Sequence, residues 1–356
     1  MINYSELLNK KPFGMTGTEK RTWYFELQRL LTEHHYENCE PYRKFIDRLS
    51  FKPGNEGCLA DLPFISVRLF KSHTMQSTEP EDIIRTLNSS GTSGKGASTI
   101  HLDKKAVFLQ SKVLRHILSD FIPSKRVRTM FVINEKTSGV DKEAITASIA
   151  ATRGFAQFAE TTVSLIDQDD TVNIEPLMSY VEQFPNEPFM IFGFTSTVWF
   201  KLIGQLDQNR KKLEKNSGIL IHGGGWKKMQ SQAVDKSLFK TRAKRVLGVD
   251  AVHDYYGMVE QTGSVFVECS EGFFHPSIYS EIIIRNSKLE QAELREVGLV
   301  QVMSLLAESY PGHNILTDDL GIMHGEDNCK CGRLGKFFSV LGRISGVETR
   351  GCSDAS

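Results

Sequence analysis

A short run of small polar residues has the composition of an anion-binding loop. Residues 89–94 read "SSGTSG", and glycine lets a backbone approach an anion closely while the neighbouring hydroxyls donate hydrogen bonds to it. The run does not fit the phosphate loop of kinases and ATPases, because Gly91 is followed by Gly94, Lys95 and Gly96 rather than by the required spacing and final hydroxyl. On this stretch alone, a phosphate site and an ordinary surface loop both stay open.

Four sulfur- and nitrogen-bearing side chains suggest a second kind of chemistry. Cys329 and Cys331 form a C-x-C pair, and Cys269 with His275 forms a C-x₅-H pair that a turn could bring together. Three thiolates and one imidazole make the closed, four-coordinate shell of a structural Zn²⁺ site. The C-x-C spacing is tighter than the usual C-x₂-C, so the alternative is four separately buried residues.

The elements that must position these residues alternate in type between 126 and 257. Apolar segments of strand length, such as "RVRTMFVIN", "PFMIFGF" and "SGILIHGGG", are separated by helix-length amphipathic segments. This alternation predicts an α/β fold with a mostly parallel sheet covered by helices on both faces. Ligands of such sheets bind beyond the carboxyl ends of the strands, where the glycines at 223–225 stand.

The flanking regions differ from this middle part. Residues 17–50 have apolar positions at three- and four-residue spacing, and Thr16 with Glu19 matches a helix capping box. The last third contains short strand-like segments separated by turns, which predicts an antiparallel, barrel-like region. These segments are "SVFVEC", "SEIIIRN", "GLVQVMSLL", "NILTDDLG" and "FFSVLGR".

Composition narrows the class of protein. The 356 residues include 43 basic and 43 acidic side chains, with no long basic run, so nucleic acid is not an expected partner. The first residues lack the plan of a secretory signal, and the most apolar stretch, 188–200, is too short to cross a bilayer. We therefore expect no membrane span, a cytoplasmic location, and six reduced cysteines that are free for metal binding or catalysis.

Five motifs in one order resemble those of the adenylate-forming enzymes, the superfamily of acyl-CoA synthetases and adenylation domains. They are "SSGTSG", "HGGGWKK", "DYYGMVEQTG", "TDDLG" and the "GR" at 342–343. Together with "CKCGR" and the final "RGCS", the set is most similar to the acyl-protein synthetases, long-chain-fatty-acid protein ligases that serve the aldehyde supply of bacterial luciferase. The resemblance covers nearly the whole chain.

The resemblance implies a fold and a domain organisation. Residues 1–345 would form the large N-terminal domain of an adenylate-forming enzyme, built of stacked αβ layers with mostly parallel sheets and a distorted β-barrel region at about 262–345. The small C-terminal domain of the superfamily, which carries the adenylation lysine, would be absent. Residues 346–356 would form a tail.

The resemblance also implies an activity. The chain would be an ATP-dependent acid–thiol ligase that converts a carboxylic acid, expected to be a fatty acid, into an acyl-adenylate. It would then transfer the acyl group to Cys352 as a thioester, for delivery to an acyl-accepting protein similar to an acyl-CoA reductase. Arg350 could lower the pKa of this thiol, although a lone tail cysteine without a role is the alternative.

The site residues follow from the same resemblance. Glu260 would bind the Mg²⁺ that bridges phosphate oxygens, and Lys227 is a candidate, with Lys228, to replace the absent lysine. The β- and γ-phosphates would be held by the loop residues Ser89, Ser90, Gly91, Thr92, Ser93 and Gly94. The adenine and α-phosphate would lie along the glycine turn and the "YG" pair, which are Gly223, Gly224, Gly225, Tyr256 and Gly257. The ribose or a phosphate would be bound by Asp319 and Arg343.

Two other functions remain open on the sequence. The first is an enzyme that releases its acyl group to coenzyme A or a carrier thiol, as phenylacetate-CoA ligases do. The second is a non-catalytic partner that binds nucleotide or acyl groups. For the acyl pocket, Phe194, Trp199 and Tyr255 would suit a long or aromatic acid, but core packing explains them equally well.

Overall fold

The computed structural model describes residues 2–49, 57–89, 97–122, 126–134, 145–167, 169, 171–214, 216–261 and 263–344, without the side chains of 145–148, 227 and 228. These residues divide into two compact units. The first contains the chain up to Ile117 and again from Gly257 to Ile344, and the second contains Leu118–Tyr256.

Three helices open the first unit: α1 (Tyr4–Leu8), α2 (Gly17–Asn38) and α3 (Glu40–Arg48). The predicted capping box is present, because Thr16 accepts from the Glu19 N–H and the Glu19 carboxylate accepts from Thr16. The helical prediction for 17–50 misses a break at Cys39, which has extended backbone angles. Pro41 explains the break, because proline cannot donate the backbone hydrogen bond that a continuous helix would need there.

A two-residue strand and a hairpin follow in the same unit. They are β1 (Ile65–Ser66), and then β2 (Ile83–Asn88) paired antiparallel with β3 (Thr99–Asp103). Helix α4 (Lys104–Leu118) starts directly after β3, where the Asp103 carboxylate accepts from the Ala106 N–H at 2.7 Å. Residues 89 and 98 therefore lie at the end of the hairpin where β2 ends and β3 begins.

The second unit is an α/β layer structure. In chain order its elements are β4 (Val127–Ile133), β5 (Ile145–Thr146), α5 (Ala147–Ala156), β6 (Ala159–Ser164), α6 (Glu175–Gln183), β7 (Phe189–Phe194), α7 (Thr195–Thr197), a π-helical segment (Val198–Ile203), α8 (Gly204–Gln208), β8 (Gly218–Gly223), α9 (Lys236–Leu247) and β9 (Ala251–Tyr256).

Its sheet has the strand order β9-β8-β7-β4-β6, and every one of these pairings is parallel. Strands β7 and β8 are buried along their whole length, as expected for strands covered on both faces. The parallel α/β prediction is therefore confirmed. Between β8 and β9, a 3-10 segment (Lys227–Gln232) precedes α9, and Asp235 caps the start of α9 by accepting from the Leu238 N–H at 2.9 Å.

The rest of the first unit is β-rich. Its strands are β10 (Phe266–Val267), β11 (Ser280–Arg285), β12 (Val297–Ser304), β13 (Asn314–Glu326) and β14 (Lys336–Arg343). The order β11-β12-β13-β14 is antiparallel throughout, and β1 pairs parallel with the start of β13. The antiparallel prediction is confirmed, while no closed barrel is found among the described strands. None of the described helices is both long and apolar enough to cross a membrane.

Candidate active site

Ser89 and Ser98 close the base of the predicted phosphate loop. The Ser89 N–H donates to the Ser98 carbonyl at 2.9 Å, and the Ser98 N–H donates to the Ser89 hydroxyl at 2.7 Å. This reciprocal pair extends the β2–β3 hairpin by one step, so the small polar run leaves from a fixed platform. The other predicted loop residues, Ser90, Gly91, Thr92, Ser93 and Gly94, lie outside the described residues.

Glu260 lies beside this platform, within the same unit. It is placed by a 3-10 turn (Val259–Gln261) and is only 7% exposed. Burial raises the pKa of the Glu260 carboxyl, and the Ser98 hydroxyl together with Arg343 partly offsets that rise. The structure therefore brings the predicted Mg²⁺ ligand to the base of the predicted phosphate loop.

The neighbouring Gln261 fixes the turn that carries Glu260. Its side-chain amide donates to the carbonyls of Val302 and Gly312 at 2.9 and 2.8 Å. A buried side chain that bonds two separate backbone segments restrains its own turn strongly. The sequence reasoning missed both Gln261 and Ser98, and the only signal in the sequence is their position beside predicted motifs.

Asp319 and Arg343 meet across the β13–β14 pair. They are direct partners in the strand register, and the Arg343 Nε lies 3.5 Å from the Asp319 carboxylate. Asp319 is 16% exposed and Arg343 is 44% exposed, so the carboxylate is sheltered while the guanidinium reaches solvent. An acceptor and a cationic donor side by side suit a ligand that carries both hydroxyls and phosphate. Two predicted residues, 24 positions apart in sequence, are thus brought together.

Different structural features explain why glycine occupies positions 223, 224 and 225 in the second unit. A Cβ at Gly223 would lie 2.5 Å from the Tyr255 ring, so no side chain fits there. Gly224 and Gly225 have φ values of 73° and 63°, a conformation that favours glycine, and a Cβ at Gly225 would meet nothing within 4 Å. The turn is therefore tight on its buried side and open on the other, as a flat ligand would require.

The remaining predicted nucleotide residues are described only in part. Tyr256 ends β9 and is half-buried, and Gly257 is exposed. Lys227 starts the 3-10 segment after the glycine turn, but its side chain lies outside the described atoms, and Cys352 lies outside the described residues. The roles of these four residues stay predictions.

Polar side chains at the ends of three parallel strands were not identified from the sequence. Asn134, after β4, accepts from the Phe194 N–H at 3.1 Å and donates to the Thr152 hydroxyl at 3.0 Å. Thr195, after β7, lies 2.9 Å from the Nδ1 of His222 at the end of β8. The strand order reverses beside β4, the position where α/β sheets bind ligands, and that topology is the signal that could have found them.

The aromatic residues considered for the acyl pocket are largely core residues. Phe194 and Trp199 are 2% and 7% exposed, and Trp199 stacks on Phe239 with ring centroids 5.6 Å apart. Tyr255 stacks on Phe192 at 5.9 Å. Packing within the second unit explains all three residues, so they do not indicate which carboxylic acid the protein binds.

The four predicted metal ligands converge in the first unit. Cys269 and His275 lie between β10 and β11, while Cys329 and Cys331 lie in the β13–β14 connection. Their ligand atoms all lie within 4.8 Å of one another. The alternative of four separately buried residues is therefore wrong.

The distances within this cluster fit a tetrahedral ion. Cys269 and Cys329 have their sulfurs 4.0 Å apart, and the Cys331 sulfur is 3.4 Å from the His275 Nε2. Around Zn²⁺, ordinary bond lengths would give about 3.8 Å between sulfurs and about 3.6 Å between sulfur and nitrogen. Burial lowers the pKa of His275 to about 4, with a smaller effect of Arg333, so the imidazole is in the neutral form that metals bind.

Comparison with known proteins identifies the family. The model of the family described as acyl-protein synthetase, LuxE, matches residues 4–356. The chain belongs to the acyl-protein synthetase family. A long-chain-fatty-acid–luciferin-component ligase of Vibrio harveyi is 22% identical over 363 residues, covering 95% of this chain and 90% of that relative. The ligase of the same name from Aliivibrio fischeri is 21% identical over 324 residues, covering 86% and 82%.

Solved structures agree on the fold. An open conformation of 2-hydroxyisobutyryl-CoA ligase aligns with a TM-score of 0.71 at 14% identity, covering 94% of this chain and 77% of that one. A post-adenylation state of the same ligase aligns with a TM-score of 0.69, covering 93% and 69%. The adenylate-forming fold of the chain and its predicted class, an ATP-dependent ligase, are therefore confirmed.

Proposed function

We propose that this acyl-protein synthetase uses ATP to convert a fatty acid into an acyl-adenylate and then transfers the acyl group to its own Cys352. The observation that supports this most is the convergence of the Ser89–Ser98 platform, buried Glu260 and the Asp319–Arg343 pair within one unit. Each belongs to a different motif of the adenylate-forming set. The family of the chain and the names of its two relatives supply the substrate class.

In the first step, a carboxylate oxygen of the acid attacks the α-phosphorus of ATP, and pyrophosphate leaves with the electrons of the broken P–O bond. Two anions must meet, so the site has to hold them in line and compensate their charge. The platform would present the loop 90–94 to the β- and γ-phosphates. Arg343, half exposed beside Asp319, would supply positive charge, and Asp319 would accept from the ribose hydroxyls.

Glu260 fits the role of a magnesium ligand by its chemistry. It is a carboxylate on a restrained turn at the base of the phosphate loop, and Mg²⁺ is bound through one or two carboxylates together with phosphate oxygens. When bound there, Mg²⁺ would neutralise phosphate charge. Bound Mg²⁺ would also favour the ionised form of Glu260, because a nearby cation lowers the pKa that burial raises.

In the second step, the Cys352 sulfur would attack the acyl carbonyl, AMP would leave, and the thiol proton would pass to solvent. Cys352 belongs to the proposed tail 346–356, which follows the proposed catalytic domain 1–345. The resulting thioester could be passed to an acyl-accepting protein such as a reductase. Lys227, directly after the glycine turn, is the proposed cation for the adenylation step.

The Cys269–His275–Cys329–Cys331 cluster is proposed to hold a structural Zn²⁺. All four positions are filled by protein side chains within 4.8 Å of one another, which leaves no place for a substrate and excludes the open shell of a catalytic site. Burial raises the pKa of the Cys329 thiol to about 12, so binding would displace its proton. The ion would tie the β10–β11 segment to the β13–β14 connection.

Acid-dependent exchange of pyrophosphate into ATP tests the activation step. The purified chain would be screened with short, long and aromatic carboxylic acids, with and without Mg²⁺. We expect exchange with long-chain acids only, and only with Mg²⁺. Absence of exchange with every acid, combined with ATP binding, would favour a non-catalytic partner, and a coenzyme-A-dependent thioester product would favour a CoA ligase.

A further inference from the structure

Thr195, His222 and Gly223 form a buried hydrogen-bonded chain at the carboxyl ends of β7 and β8. The Thr195 Oγ1 lies 2.9 Å from the His222 Nδ1 and 3.1 Å from the Gly223 carbonyl oxygen. Thr195 and His222 are 6% and 5% exposed. His222 also packs on Phe239, with ring centroids 4.3 Å apart. All of these residues belong to the second unit.

The direction of this chain follows from donor and acceptor chemistry. A carbonyl can only accept, so the single hydroxyl proton of Thr195 is donated to Gly223. The Thr195 oxygen is then free to accept from His222, which assigns a proton to Nδ1. Asp254 lies 3.8 Å from that nitrogen, beyond hydrogen-bond distance, and its negative charge favours a proton there.

Fixing the Gly223 carbonyl also fixes the next amide. In a trans peptide, the C=O and the following N–H point in opposite directions. The carbonyl points to the buried Thr195, so the Gly224 N–H is turned to the opposite side of the peptide plane. On that side the turn is exposed, and Gly225 has open space where a Cβ would be.

We propose that Thr195 and His222 are positioning residues that orient the Gly224 N–H as a hydrogen-bond donor to the adenylate. This inference rests on the proposed function, because it names the ligand of the glycine turn as ATP and its acyl-adenylate product. The φ of 73° at 224 favours glycine, but a glycine peptide is also free to rotate. The hydroxyl and the imidazole remove that freedom before the nucleotide arrives.

Two matched pairs of variants test the hydrogen bonds that join Thr195, His222 and Gly223. Thr195→Val keeps the shape and loses the hydroxyl, while Thr195→Ser keeps the hydroxyl. His222→Asn places an amide N–H near the position of Nδ1, while His222→Gln places it near the position of Nε2. Thr195→Val and His222→Gln each remove one buried hydrogen bond, so we expect the KM for ATP to rise about tenfold in both. Thr195→Ser and His222→Asn should stay within about threefold of wild type.

The KM for the acid should stay unchanged in all four variants, which separates positioning of the nucleotide from a general loss of structure. An unchanged KM for ATP in Thr195→Val would overturn the proposal. So would a larger effect of His222→Asn than of His222→Gln, because it would assign the proton to the other ring nitrogen.

A spectroscopic readout tests the chain without any activity. In [¹⁵N]glycine-labelled protein, the Gly224 amide resonance, assigned with Gly224→Ala, should shift in Thr195→Val and stay in place in Thr195→Ser, because the hydrogen bond to the Gly223 carbonyl polarises the shared peptide. If this pattern holds and no acid supports pyrophosphate exchange, the role of Thr195 and His222 in orienting the peptide is supported and the proposed function is rejected. If exchange occurs and neither the resonance nor the KM for ATP responds to Thr195→Val, the proposed function is supported and the role of Thr195 and His222 is rejected.

Discussion

The Cys331 sulfur lies 3.4 Å from the His275 Nε2, although the two residues are 56 positions apart in the chain. Cys331 lies in a turn beside Gly332, and His275 follows a turn that ends at Gly272; the two glycines have φ values of 82° and 84°. The Gly332 N–H donates to the Cys329 carbonyl at 3.1 Å. The two segments therefore present their side chains toward each other.

Replacing Cys329 and Cys331 together with serine should remove a bound zinc ion and destabilise the protein. Wild type should purify with about one zinc per chain, and the double variant should melt on the order of 10 °C lower, because a structural zinc site contributes directly to folding. Zinc content by elemental analysis and a thermal melt are the measurements. Cys58→Ser is the control, since Cys58 is exposed. Zinc retained by the double variant would reject the site.

Much of this cysteine–histidine cluster could be predicted, because residue types that bind metal can be identified directly in the sequence. Cysteine and histidine at close spacing suggest metal whatever the fold. The convergence itself depends on β13, which spans 13 residues where the sequence suggested a strand ending near Gly321. Alternation continues past Gly321 into "IMHGE" with polar residues on one face, and pairing with β14, a non-local contact, decides that the strand extends.

Other features depended on contacts that a pattern cannot show. The helix start at Thr16 and the parallel strands were predictable, because capping and apolar runs are local signals. The Thr195–His222 contact depends on the pairing of β7 with β8, and the π-helical segment at Val198–Ile203 packs on α9 through Trp199 and Phe239. Ser98 likewise carries no signal of its own, and only the hairpin places it beside Glu260.

Replacing Glu260 with glutamine should abolish catalysis without loss of stability. Loss of one electrostatic partner of a transferred phosphate typically costs 10²–10³-fold, so we expect pyrophosphate exchange to fall about 100-fold or more. Burial raises the pKa of Glu260 in the folded state. An acid with a raised folded pKa stabilises the fold at low pH, and this contribution is lost as pH rises through the folded pKa.

Glutamine carries no charge at any pH, so Glu260→Gln should match or exceed the wild-type free energy of unfolding at pH values above the ordinary glutamate pKa of about 4.3. Denaturant titrations over a pH series, beside exchange assays, check both statements. Glu81→Gln, at an exposed position, is the control. A variant that retains full exchange, or one whose stability falls most at high pH, would contradict the assignment.

Asp319 and Asp318 offer a matched comparison on one strand. Asp319 faces Arg343, whereas Asp318 forms an ion pair with Arg68 at 2.9 Å. Asp319→Asn should raise the KM for ATP about tenfold, because the ribose loses a charged acceptor worth about 1.5–3 kcal/mol. Asp318→Asn should change it less than twofold, because the Asp318 carboxylate pairs with Arg68 and not with Arg343. Equal effects of the two substitutions on the KM for ATP would remove Asp319 from the nucleotide site.

Labelling by a radioactive long-chain fatty acid, in the presence of ATP and Mg²⁺, tests the central claim most directly. Wild type should become labelled on the protein through a bond that neutral hydroxylamine cleaves, as a thioester requires. Cys352→Ala should keep acid-dependent pyrophosphate exchange within about twofold and retain no label, while Cys58→Ala should label like wild type. Equal labelling of Cys352→Ala and wild type would contradict the account.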